Sequence, residues 1–366
     1  MNAVTFTLTP GLFSDREQVI ACFKTLSATA FRYPTGVCAL KLANDRGELV
    51  VLPFQGQQIW RAWFGGQDLT MKSTFPYPLP TTDYLATYGG FLLHCGATAM
   101  GVPTAQDSHP LHGELPNLAY DQAVLSFGED ENGPYIALGG NQEYRVAFGI
   151  HYRAEPKIRL YEGASTFQVQ MCLTNMRRRP LAYMYLCHIN FRPVDGAELV
   201  YSAPANPAHV FAHPSDPGGL PADEAGRLAR YIESINADPR VHHVVDPSRQ
   251  AYDPEIVMTI RYLADADGYA HSLQQLPDGS AFYVSHRIAE LPLGLRWIAR
   301  TGDEDAMGLV LPATAEHKGL AYARQNGQLK WLQADKQVTL SMVVGWLDRE
   351  KTAKVRTRIE SIVAPR

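Results

Sequence analysis

Residues 157–191 read KIRLYEGASTFQVQMCLTNMRRRPLAYMYLCHINF. This stretch carries three apolar, strand-like runs, separated by Gly163 and by the turn Arg177-Arg178-Arg179-Pro180. In the last run a period of two puts Met184, Leu186, His188 and Asn190 on one face. Tyr183, Tyr185, Cys187 and Ile189 fall on the other. His188 and Asn190 thus bring two hydrogen-bonding groups to the end of an apolar face. They form either a rim site or a buried pair that satisfies itself.

The same pattern extends in both directions. GVCALKLANDRGELVVLPFQGQQIW (36–60) reads as strand, turn, strand, and AVLSFGEDENGPYIALGG (123–140) as a hairpin turning at Glu131-Asn132-Gly133. EIVMTIRYLAD, AFYVSHRIAE, AMGLVLPA and KQVTLSMVVGWLD continue it toward the C-terminus. Many short strands without alternating helices predict a mainly β fold, a large antiparallel sandwich. Three helices are expected. One spans about 14–27, where Ser14 and Glu17 match a capping box; another lies in PADEAGRLARYIESI; a frayed one lies in REKTAKVRTRIESI. Strands look alike on both sides of the Pro- and Gly-rich stretch 203–222, which favours one domain over residues 1–366. Its core runs from about 35 to about 348, with a tail from about 349 to 366.

A net charge of −4 gives no general attraction for nucleic acid or anionic lipid. No apolar run approaches the roughly 20 residues of a membrane span, and the N-terminus lacks the pattern of a secretory signal. Five cysteines without CxxC spacing suit reduced thiols in the cytoplasm. No nucleotide-binding or serine-hydrolase motif is present.

The loop DSHPLHGELPN (107–117) gathers Asp107, His109, His112 and Glu114. Metal ligation, proton transfer, sugar binding and a plain polar turn all fit those residue types. The D-x-H-x-x-H-x-E spacing matches no established zinc pattern, which ranks a metal-dependent isomerase last. His94 ends another apolar strand, GGFLLHCGA, and taken alone reads as a core histidine.

Taken together, LLHCGA (92–97), HPLHGELPN (109–117) and YMYLCHINF (183–191) resemble the galactose mutarotase (aldose 1-epimerase) superfamily, in particular a poorly characterised bacterial branch. The resemblance runs from about residue 35 to about 348 and implies a β-supersandwich with a sugar cleft over one large sheet. It also implies anomer interconversion by acid/base ring opening without cofactor or metal, on a monosaccharide or modified sugar. His188 matches the general acid and His112 a sugar-binding histidine, with His94 and Asn190 as cleft neighbours. The position of the family's general-base glutamate falls in MGLVLPATAEHKG (307–319), at Leu311. Glu114 and Glu316 are the carboxylates close enough in sequence to substitute. Gln55 and Gln58 stand where the branch carries charge. Arg296 and Trp297, in GLRWIAR, offer a guanidinium contact and a stacking face, or strand-edge packing. The leucine at 311 leaves a second reading open, a non-catalytic sugar-binding protein on the same fold. Oligomeric state is not encoded in any recognisable pattern.

Overall fold

The computed structural model describes residues 3–364. Within them, two antiparallel sheets of nine and thirteen strands pack face to face. The interface between them is aromatic and aliphatic. Phe91 meets Phe167 across the layers with ring centroids 6.3 Å apart, and Phe191 stacks on Phe282 at 5.4 Å. This is the two-layer solution expected when strands alternate apolar and polar residues.

Five neighbouring strands of the larger sheet position the site. In spatial order they are Ile256–Ile260, Leu293–Arg300, Asp305–Ala313, Leu181–Ile189 and Leu92–Ala97. Their register pairs Val257 with Trp297, Leu295 with Leu311, Leu186 with Ala313, and Cys187 with His94. A bulge between Leu295 and Trp297 twists the edge of this group. The Leu181–Ile189 strand is almost wholly buried, as a central strand covered on both faces must be.

The expected helix at about 14–27 is not formed. Gln18–Phe23 and Leu26–Arg32 are paired strands that turn at Lys24, whose φ is +55°. Ser14 and Glu17 have the spacing of a capping box, but the Ser14 hydroxyl donates to the Arg16 carbonyl and Glu17 pairs with Lys41 at 3.2 Å. β-branched Val19 and Ile20 suit a pleated surface, and the pairing surface of the sheet outweighs a weak local helical preference. The other two helices form, over Ala222–Ala237 and Arg349–Val363. The second is an ordered helix, not a frayed one: Asp348 caps it by accepting from the Lys351 N–H at 2.9 Å. A short helix, Gly319–Gln325, was not expected. No helix of the described residues is long and apolar enough to cross a membrane.

Candidate functional site

On the face of the larger sheet turned away from the sandwich interior lies a cleft of about 710 Å³, counting its open mouth. Its enclosed part, about 210 Å³, is smaller than the roughly 300–1,000 Å³ usual for drug-sized ligands. Leu186 and His188 reach it from one strand, Leu295 and Trp297 from another, and Leu311 from the strand between them. Tyr84, Tyr88, His112 and His317 come from loops, and Glu255 from the residue before the Ile256–Ile260 strand.

His188 is the best-held polar group. Its Nδ1 lies 2.7 Å from Oδ1 of Asn190, whose amide nitrogen donates to the Gly90 carbonyl at 2.9 Å. That second bond fixes Oδ1 toward the imidazole, so Nδ1 carries the proton and Nε2 keeps its lone pair. The Tyr88 hydroxyl lies 3.2 Å from Asn190 Oδ1 and 3.4 Å from His188 Nε2. Burial pushes the His188 pKa down to about 4, partly offset by the bond to Asn190. The imidazole is therefore neutral near pH 7.

His112 faces His188 edge-on with ring centroids 5.4 Å apart, and the Tyr84 ring lies 5.0 Å from it. The His112 backbone has φ +59° and Gly113 follows with φ +79°. A Cβ on Gly113 would lie 2.2 Å from the Ala99 carbonyl, so the loop can approach the sheet this closely only with glycine there. The backbone then joins it to the sheet edge: the His112 carbonyl accepts from Gly96 N–H at 2.8 Å. Burial, then the neighbouring His188 and His317, hold His112 well below the ordinary imidazole range. His317 is pushed down to about 4 by burial, by His213 and by Lys318.

Glu255 supplies the carboxylate of the cleft. Its Oε2 accepts from the Trp297 indole N–H at 2.7 Å, and the Trp297 ring lies 5.2 Å from His188. One aromatic side chain thus touches both titratable groups. Sequence reading missed Glu255, Tyr84, Tyr88 and His317. For Glu255 the signal was a carboxylate adjoining an apolar strand, but its approach to Trp297 depends on a pairing across about forty residues of chain.

The other sequence candidates lie elsewhere. His94 is opposite Cys187 in register, so it points to the other face from His188 and bonds the Tyr185 hydroxyl at 2.6 Å. Arg296 alternates with Leu295 and Trp297 and faces inward. There it is fully buried, donating to the Leu309 carbonyl and to His242 Nε2, with its guanidinium 4.6 Å from the Tyr201 ring centre. Glu114 bonds the Thr98 hydroxyl at 2.7 Å and borders a neighbouring recess with Asp83, Asn117 and Tyr144. Glu316 is buried behind His317, 3.9 Å from Lys318. Neither carboxylate lines the cleft with His188. Asp107 accepts from Thr104 and from the Ala321 N–H, tying the loop to the short helix, and His109 bonds the Pro110 carbonyl. Among the described residues, no cluster of three or more His, Cys, Asp or Glu side chains could hold a metal ion. Gln55 and Gln58 clamp the end of the same loop through Asn117 and the Pro116 carbonyl.

Comparison with known proteins agrees with this architecture. A domain family of unknown function (DUF4432) matches residues 34–209. Among curated proteins none matches the chain. A Klebsiella pneumoniae protein, a "putative aldose 1-epimerase" by name, superposes with a TM-score of 0.80 at 17% identity, covering 99% of this chain and 96% of its own. A galactose mutarotase-like protein from Clostridium acetobutylicum aligns over 89% of this chain and 100% of its own, with a TM-score of 0.58 and 10% identity. A second "putative aldose 1-epimerase", from Escherichia coli K12, gives 0.53 at 14% identity, covering 84% of this chain and 97% of its own. The chain has the galactose mutarotase-like fold.

Proposed function

We propose that this protein binds a monosaccharide or modified sugar in the cleft and interconverts its anomers by proton transfer, with His188 as the transferring group. The observation that carries the reading is the His188–Asn190 pair at the cleft, which leaves an oriented, neutral Nε2 beside His112. The resemblance assigns His188 as an acid, and a neutral imidazole with its proton on Nδ1 begins instead as an acceptor. Nε2 takes the proton of the anomeric hydroxyl as the C1–O1 double bond forms and the bond from C1 to the ring oxygen breaks. The same proton then passes from the imidazolium to the ring oxygen. Rotation about C1–C2 and the reverse steps give the other anomer. The Glu255 carboxylate, held by Trp297, stabilises the transient imidazolium, and the general base's part that the resemblance places at residue 311 falls to His188 itself. His112 serves as a hydroxyl-binding group, and the Tyr88 oxygen, whose proton goes to Asn190, can accept from a second sugar hydroxyl; no step calls on a metal or cofactor.

Leu311 in the cleft favours a second reading, sugar binding without turnover. NMR exchange spectroscopy on a panel of free aldoses separates the two. Faster exchange between anomers than in buffer, lost in His188→Gln, supports catalysis. Binding without faster exchange supports the second reading, and the absence of both removes sugar as the ligand.

A further inference from the structure

The cleft differs from a typical hydroxyl-binding surface in what forms its floor. Val257, Leu295, Leu311 and Leu186 lie on four consecutive strands, brought together by the register that pairs Leu295 with Leu311. Gly308 makes this packing possible. A Cβ there would lie 2.7 Å from a Leu311 methyl carbon, so the glycine gives the leucine its room. Leu85, Val102 and Leu111 continue the apolar surface up the walls.

The polar groups of the lining are His188, His112 and His317, together with Glu255, Trp297 and the hydroxyls of Tyr84 and Tyr88. Some of them are already committed: the Trp297 N–H to Glu255, and the Tyr88 hydroxyl to Asn190. No lysine or arginine lines the cleft, and its one carboxylate is Glu255. The nearest candidate cation in the strand, Arg296, is turned into the sandwich interior. A phosphate, sulfonate or carboxylate substituent would therefore meet a like charge without a counter-ion, which is costly in a partly desolvated site. A hydroxyl pressed against the leucine floor would lose its water partners and gain none.

Building on the sugar reading above, we propose that the cleft selects an uncharged deoxyhexose, with its deoxygenated carbon against the Leu186–Leu295–Leu311 floor. The anomeric carbon lies at His188, the acid/base group of the reading above. The apolar floor acts as a specificity element, rejecting the fully hydroxylated parent by leaving one of its hydroxyls unpaired.

The test uses the wild-type protein with glucose and galactose, their six-deoxy and two-deoxy counterparts, and the six-phosphate of glucose. Affinity is read by Trp297-sensitive fluorescence and calorimetry, and anomer exchange by NMR. At least one deoxyhexose is expected to bind about 10-fold or more tightly than its parent hexose, equal to about 1.4 kcal/mol, with no binding of the phosphate. Leu311→Asn, which gives the floor an amide partner, is expected to narrow that ratio to about 3-fold or less. If the variant does not fold, the wild-type ratio decides alone. Parent hexoses binding as well as or better than every deoxy counterpart would overturn this selectivity while leaving the sugar reading intact, and so would binding of the phosphate. Binding of no sugar at all would remove the sugar reading, and the selectivity with it.

Discussion

His188 Nδ1 and Asn190 Oδ1 lie 2.7 Å apart, two residues removed on the same face of one strand. The spacing is set by the pleat, and the Gly90 carbonyl fixes which atom of the amide faces the ring. Removing the acceptor frees the tautomer without touching the cleft wall. Asn190→Ala is expected to lower kcat for anomer exchange about 10- to 100-fold, with KM moving much less. Equal loss in KM, or none in kcat, would show that the pair is only structural.

Glu255 makes a sharper distinction among the carboxylates. Glu255→Gln keeps a polar atom for the Trp297 N–H but removes the charge, and exchange should slow by about 100-fold or more. Glu114→Gln and Glu316→Gln lie outside the cleft and should leave the rate within about 3-fold. The reverse ranking, measured in the same NMR experiment, would move the stabilising carboxylate to one of the two sequence candidates.

The pH profile follows from burial. An accepting His188 works while it is neutral, and its pKa lies near 4. The acid limb of kcat/KM is expected with a midpoint near 4, well below the ordinary histidine value of about 6.5. A midpoint at the ordinary value would mean that the folded site does not keep the imidazole neutral.

Stability should respond to pH through His94, buried with a pKa of about 3. The unfolded chain binds this proton below about pH 6.5 and the folded chain does not until about pH 3. Its contribution is therefore complete above about 6.5 and declines as pH falls through that window, by up to about 1.4 kcal/mol per pH unit. Urea denaturation at several pH values should show a shallower acid loss for His94→Gln than for wild type. Identical slopes would mean that His94 is already exposed to protonation in the native state.

Gly113→Ala tests how the loop is seated. The left-handed backbone and the contact with the Ala99 carbonyl predict a loss of about 1–3 kcal/mol in stability. If the variant still folds, His112 should be displaced and KM should rise. An unchanged melting temperature would show that the loop does not need this close approach.

The β architecture and one side of the cleft were legible in the chain. Alternation in LAYMYLCHINF assigns Leu186, His188 and Asn190 to one face because a strand has a period of two wherever it sits. His112 could be singled out only because HPLHGELPN resembles a loop of the mutarotase superfamily. The helix predicted near residue 14 failed where a short-range pattern met a long-range pairing partner.

Only the tertiary structure decided which neighbours share the cleft. Arg296 and Trp297 are adjacent in sequence and so must point to opposite faces, but the fold alone determines which one turns outward. Register places His94 opposite Cys187 and hence in the interior, and pairing between distant strands brings Glu255 to Trp297. Local sequence sets the period of a strand, whereas its partner and register are set by burial summed over the whole sheet.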